Sequence, residues 1–382
     1  MNESVEASSS RRLLTGWLVL IALLSVGWIT LQTQLTPPAE VPADAPPTEF
    51  SAERAFTWVE MLAQAPHPVG TREHHRVRNQ LVSELRQMGF DPQIQVAPAV
   101  WGFGSFMGGG TMRNVLARLP GQGSGNEAVL LMAHYDTRAM TPGAADDTSG
   151  CAVILETLRA LRAGGPLERD VIALFTDGEE TGLLGARAFA EDHGWMDDVV
   201  VALNIEARGN FGPTLAFETS GSSTLMIEAL AASVSVPWTS SLAGAVYRMM
   251  PNDTDFSIFR DAGVPGVNVA FLDGYRTYHT MLDTPEGLDR RSFQHQGEYI
   301  LGLARHFGAG APVAAEGAGQ ATFFNVWGHR LAIYPVGWAL PIFLVALALV
   351  VLVFFVLRSS GVLASWRTLF TGSGLALLTV VS

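Results

Sequence analysis

Residues 128–136 read AVLLMAHYD and residues 170–180 read DVIALFTDGEE. Each stretch opens as an unbroken apolar run and closes on residues that bind metals or carry protons. An apolar run without polar alternation is the pattern of a strand buried on both faces, which needs helices above and below it. The runs 199–205, 214–217 and 266–271 repeat it in Val, Ile, Leu and Phe. Segments 51–65 and 75–88 instead carry apolar residues three and four apart, as helices packed by one face do. The alternation predicts an α/β fold: a mixed, largely parallel central sheet with helices on both faces. In such sheets the active site forms beyond the carboxyl ends of the strands.

Those ends carry a consistent chemistry. His134 and Asp136 close the first run, and GAADDTSG at 143–150 follows it. Glu179 and Glu180 come after the second run, Glu206 after the third, and Tyr278, His279 and Asp283 beyond the last. Taken singly each has an ordinary explanation: Thr148 or Ser149 suits a helix N-cap, and an acidic pair suits a helix N-terminus. The set is the signal, because five oxygen or imidazole ligands at successive strand ends converge on one place. Two His with several carboxylates and no thiolate suit a catalytic zinc rather than a structural one. The lone Cys151 excludes an internal disulfide and a thiolate cluster. Adjacent acids point apart along an extended backbone, so of Glu179 and Glu180 one can coordinate while the other stays free to move a proton.

The rest of the chain reads as membrane-associated. Of 382 residues 48% are apolar and 16% charged, where soluble domains carry about a quarter charged residues. Net charge is −12 and every base is Arg, a balance that argues against a nucleic-acid partner. The segment 13–32 is uncharged and follows Arg11 and Arg12; at 1.5 Å per residue it spans a hydrocarbon core of about 30 Å. A second uncharged run, 331–357, ends at Arg358, and a third begins at 369. Arginine at those flanks puts 1–12 and 358–368 in the cytoplasm and everything between the first two spans on the opposite face. The expected order is a tail 1–12, a transmembrane helix 13–32, a Pro-rich tether 33–49, a catalytic domain 50–307, a Gly/Ala-rich linker 308–330, a transmembrane helix 331–357, a loop 358–368 and the start of another span at 369–382. The chain thus reads as the beginning of a longer polytopic protein. The glycines at 102, 104 and 108–110 miss the dinucleotide pattern and are expected to form a flexible loop. No G-x-S-x-G occurs, so a serine hydrolase has no support.

The motifs HxD at His134, GAxDDxSG around Asp146, EExGLxG from Glu179 and YHTxxDT at Tyr278 resemble the di-zinc aminopeptidase family, which includes bacterial leucine aminopeptidases and glutamate carboxypeptidase. PHPVGT at 66–71, NIEARG at 204–209 and PNDTDF at 251–256 resemble its membrane-anchored vacuolar and endoplasmic-reticulum branch. The resemblance implies a zinc-exopeptidase fold and two Zn²⁺, one held by His134, Asp146 and Glu206 and the other by Asp146, Glu180 and His279. It makes Asp146 the bridge, next to a cis bond to Asp147, and Glu179 the base that takes a proton from a water held between the metals. Asp136 and Asp283 match supporting positions, where a carboxylate would accept the far N–H of a ligating His. Soluble members usually have Asp at the place of Glu206.

The implied activity is aminopeptidase hydrolysis of peptides by an integral membrane protein, expected in a bacterial cytoplasmic membrane with its catalytic domain outside the cytoplasm. A glutaminyl-cyclase-like acyltransferase, with the same fold and one zinc, is the alternative enzyme. An inactive peptidase-like binding ectodomain is the non-enzymatic one, and no ligand is missing to mark it. Tyr247, Arg208 and Tyr275 are candidates to line the substrate pocket. Oligomeric state is not legible.

Overall fold

The computed structural model describes residues 2–103, 106–314, 319–326 and 329–360. The chain divides into two compact units, Met1–Ile333 and the segment from Tyr334 onward.

The first unit opens with the long helix α1 (Asn2–Leu35), followed by α2 (Ala52–Leu62) and α3 (Arg72–Gln87). The last two start where sequence chemistry requires. Ser51 and Thr71 accept the amide hydrogens of Arg54 and His74 at 3.2 Å each, satisfying donors that the first helical turn leaves open.

Seven strands then form one sheet: β1 (Gln93–Phe103), β2 (Phe106–Leu119), β3 (Ala128–His134), β4 (Asp170–Thr176), β5 (Val199–Ala207), β6 (Leu215–Ser220) and β7 (Gly266–Phe271), in the order β1-β2-β4-β3-β5-β7-β6. The four central strands run parallel, and antiparallel pairs close both edges. Alternate residues of β3 show why the apolar runs are unbroken. Val129, Leu131 and Ala133 enter a core shared with α4 (Gly150–Gly164) and α9 (Arg290–Gly308), while Ala128, Leu130 and Met132 enter one shared with α5 (Leu184–Asp192) and α8 (Phe256–Asp261). Both faces are covered, as a parallel sheet needs. Two short helices, α6 (Ser223–Ser233) and α7 (Ser241–Tyr247), lie between β6 and α8 in the chain.

Three expectations need correction. The glycine-rich stretch is strand where it is described: Gly104 lies outside the described residues, Gly102 belongs to β1, and Gly108–Gly110 belong to β2 and pair with Trp101, Val100 and Ala99 of β1. Glycine is needed there because a Cβ on Gly109 would sit 2.7 Å from the Ala99 carbonyl oxygen. The stretch 308–330 is not linker throughout, since β8 (Ala321–Val326) pairs with β9 (Arg330–Pro335) in a second, two-stranded sheet. Residues 331–335 are therefore strand, and the helix expected from 331 starts as α10 (Ala339–Ser359). Leu331 and Ile333 pack against the core, which claims them before a helix can.

Within the second unit, Val336–Ser359 is the one described helix long and apolar enough to cross a membrane. The first expected span lies inside α1, apolar from Gly16 to Thr30. The expected third span, 369–382, and residues 361–368 of the expected loop lie outside the described residues.

Candidate metal centre

Four parallel strands deliver their carboxyl ends to one edge, and the five expected ligands meet there. Atoms of His134, Asp146 and Glu206 lie within 4.8 Å of one another, and so do atoms of Asp146, Glu180 and His279. Asp146 belongs to both groups. His134 Nε2 is 3.1 Å from Asp146 Oδ1, while His279 Nε2 is 3.2 Å from Asp146 Oδ2 and 3.1 Å from Glu180 Oε1. The peptide bond Asp146–Asp147 is cis.

Local backbone explains how each ligand arrives. His134 and Glu206 sit directly on β3 and β5, and both are almost wholly buried. Glu179 and Glu180 occupy a single helical turn, Glu179–Thr181, just beyond β4. His279 takes φ +57, a left-handed conformation disfavoured for a residue with a Cβ. The turn around it is fixed by Thr280, whose amide and hydroxyl both donate to the Thr277 carbonyl, at 3.1 and 2.8 Å.

The supporting carboxylates act differently from expectation. The imidazole Nδ1 of His134 meets the backbone carbonyl of Asp136 at 2.9 Å, with the Asp136 carboxylate farther off at 3.7 Å. That carboxylate instead accepts the amides of Gly178 and Glu179, at 2.9 and 3.0 Å. Asp283 likewise accepts the amides of Ala145 and Asp146, at 2.7 and 3.1 Å. Each thus aims the backbone that carries a functional side chain rather than the far nitrogen of an imidazole.

Neither Thr148 nor Ser149 caps α4. Ser149 Oγ donates to the Ala145 carbonyl at 2.7 Å, and Asp147 accepts the amides of Gly150 and His134 at 3.1 and 3.2 Å.

Electrostatics follow from crowding. Burial would raise Asp146, but the imidazoles of His134 and His279 outweigh it and hold the carboxyl down to about 2. Burial would lower His279, yet the carboxylates of Asp146 and Glu180 lift it to about 9. Burial raises Glu179 and Glu206 well above the usual carboxylate range, helped by each other's neighbourhood of acids. Opposed shifts of this kind are common at functional sites.

The donor set fits divalent zinc. In the second group Asp146 Oδ2, Glu180 Oε1 and His279 Nε2 are buried and without hydrogen-bond partners although they face one another. Buried polar atoms are normally paired, and a shared cation is what would pair all three. Imidazole and carboxylate donors without thiolate agree with a catalytic zinc site.

Glu179, Glu180, Glu206, Asp146 and His279 all line one cavity of about 470 Å³. Its far walls are apolar, formed by Leu215, Phe217, Trp238 and residues of α7. Tyr247 and Arg208 line it as expected, whereas Tyr275 is 72% exposed and does not.

Two residues escape sequence reasoning. Asp255, fully buried, accepts the Thr176 hydroxyl, and burial pushes its carboxyl up to about 6. Arg138 holds the other oxygen of Glu180 at 2.8 Å. The acidic run PNDTDF is the trace left by the first; nothing marks the second.

Comparison with known proteins agrees with this geometry. Endoplasmic reticulum metallopeptidase 1 of Rattus norvegicus is 31% identical over 308 residues, covering 75% of this chain and 34% of the relative. The vacuolar membrane protease of Eremothecium gossypii is 28% identical over 298 residues, covering 73% and 29%. The chain therefore spans about a third of the length of the curated relatives it matches. The fold is shared with an aminopeptidase from Aneurinibacillus sp. strain AM-1, at a TM-score of 0.56 and 14% identity over 71% of this chain and 95% of that one. It is shared also with a glutaminyl cyclase of Fimbriiglobus ruber, at 0.51 and 19% over 70% and 97%. The sequence model of peptidase family M28 matches residues 114–304, from β2 to α9 and so across every strand end that carries a ligand: the chain belongs to peptidase family M28.

Proposed function

We propose that the chain is a membrane-anchored di-zinc metallopeptidase that removes N-terminal residues from peptides. One observation carries this reading: two three-residue ligand groups share Asp146, and Glu179 stands beside them in the same cavity without belonging to either. His134, Asp146 and Glu206 would hold one zinc, and Asp146, Glu180 and His279 the other. Bound there, the two ions would act as Lewis acids toward the scissile carbonyl and the attacking water.

The remaining steps belong to side chains. Glu179 takes the proton of the attacking water on its carboxylate and returns it to the leaving amine nitrogen. A carboxylate outside both ligand groups yet in the same cavity is placed for both transfers. Asp136 keeps Glu179 in place by gripping its amide, and Arg138 keeps Glu180 oriented. The apolar walls of the cavity exclude water around the substrate.

Anchoring rests on the apolar helix Val336–Ser359 and on relatives named for membranes. Those membranes belong to organelles, so they give no support to the bacterial cytoplasmic membrane expected above. By this reading the segment 50–307 faces the side opposite the arginine-flanked ends of the spans.

The test is zinc analysis of the purified chain together with hydrolysis of free and N-blocked peptides. Two zincs per chain and cleavage of free peptides alone are expected. Cleavage confined to blocked peptides would overturn the aminopeptidase assignment, and cyclisation of N-terminal Gln without hydrolysis would replace it with the cyclase.

A further inference from the structure

Among the described residues Arg208 is the one guanidinium lining the cavity. It follows Glu206 by two positions at the end of β5, and its amide continues the ladder by donating to Phe271 at 3.1 Å. Arg208 stands one residue past the last residue of β5, and its side chain lines the same cavity as Glu206. The guanidinium carbon lies 5.5 Å from the ring centre of Tyr278, and that ring stacks on the His279 imidazole with centres 3.7 Å apart. Arg208 is thus fixed by an aromatic surface next to the ligand group.

Among the described residues no carboxylate pairs with it and no acceptor takes its side-chain N–H groups. Of the acids lining the cavity, Asp146, Glu180 and Glu206 lie in the ligand groups, Asp253 accepts the Ser257 hydroxyl at 2.7 Å, and Glu179, outside both groups, is the proton carrier. A planar fork of donors held beside a reacting centre and left without an anion matches a carboxylate brought by the ligand.

We infer that Arg208 binds a carboxylate of the substrate, within one residue of the scissile bond. This rests on the peptidase reading and narrows its substrates to peptides with an acid group at that distance. Either the α-carboxylate of a short peptide's leaving residue or an acidic side chain supplies the same chemistry.

Binding and turnover separate the possibilities. The zinc-loaded full chain carrying Glu179→Gln is titrated with leucyl-leucine, leucyl-leucine amide and glutamyl-leucine amide, with and without Arg208→Met. At least one acid-bearing ligand is expected to bind roughly 10- to 100-fold tighter than leucyl-leucine amide, the range for a hydrogen bond to a charged group. Arg208→Met should abolish that preference. Leucyl-leucine as the preferred ligand assigns the α-carboxylate, and glutamyl-leucine amide assigns the side chain.

Equal binding of all three ligands overturns the inference. So does a preference that survives Arg208→Met, because zinc alone is then holding the acid. Arg208→Lys, which keeps a cation in the cavity, should retain part of the preference and guards against a folding defect in the Met variant. Turnover by the chain with Glu179 intact reports separately: preference without hydrolysis sinks the peptidase reading and leaves the carboxylate site, while hydrolysis without preference does the reverse.

Discussion

Asp283 accepts the amide hydrogen of Asp146 at 3.1 Å across 137 residues of sequence. Its other oxygen takes the amide of Ala145 at 2.7 Å, so one carboxylate grips the backbone on which the shared ligand stands. Burial pushes the Asp283 carboxyl up to about 7, against the pull of those two amides. In Asp283→Asn, one acceptor becomes a donor facing an N–H. The orphaned amide should cost about 1–3 kcal/mol, and zinc affinity should fall roughly 10- to 100-fold, as for other groups that orient ligands. Competition with a zinc chelator measures it; unchanged affinity would show that the turn holds without Asp283.

Glu179→Gln tests the proton carrier. The variant should keep two zincs per chain, because Glu179 belongs to neither ligand group, and should lose roughly 10²- to 10⁴-fold in kcat. Metal analysis and steady-state kinetics on one preparation decide it, and full activity would remove Glu179 from the mechanism.

Stability should fall in acid through His295. The Thr214 amide donates to its Nδ1 at 3.0 Å, and Nε2 meets the Val236 carbonyl at 2.7 Å, so the folded ring is neutral with its proton on Nε2. Burial holds its pKa down to about 4, against 6.5 in the unfolded chain. Above 6.5 neither state is protonated and the ring adds no pH dependence. As pH drops from 6.5 toward 4 the unfolded chain takes up a proton that the folded ring refuses, and stability is lost, on the order of 3 kcal/mol in full. His295→Gln, which offers an acceptor and a donor without titrating, should flatten the urea-unfolding free energy across this window. An identical slope in both proteins would contradict the assignment.

Gly182→Ala should damage the site without touching a ligand. Gly182 has φ +117, and a Cβ there would come within 2.7 Å of the Trp101 ring. The turn of Glu179 and Glu180 would have to shift, at a cost of about 1–3 kcal/mol. A lowered Tm with reduced zinc content is expected, and a variant matching the wild type in both would show that Trp101 simply swings away.

What could be read from the sequence divides along physical lines. Strands β3, β4, β5 and β7 were legible because burial on both faces leaves unbroken apolar runs, and their ends carry the ligands. The β1–β2 hairpin was not, since Pro98 and the glycines of 102 and 108–110 read as breakers when context is ignored. Those residues are tolerated in long strands at the sheet edge, where register is set by pairing rather than by side-chain pattern. Asp136 and Asp283 were legible as supporting acids but not in what they hold, because sequence shows a carboxylate's position and never which amide turns toward it. The β8–β9 pair was hidden for a related reason, its signal being contact with the core instead of composition.

The ligand groups are also ordered in time along the polypeptide. His134, Asp146, Glu180 and Glu206 are all synthesised by the end of β5, whereas His279 comes after β7. A growing chain halted between those strands possesses every residue of the first group and lacks one of the second. The second group is therefore complete only once ribosomal elongation has passed His279, so any truncated product ending before it is confined to a single complete ligand group.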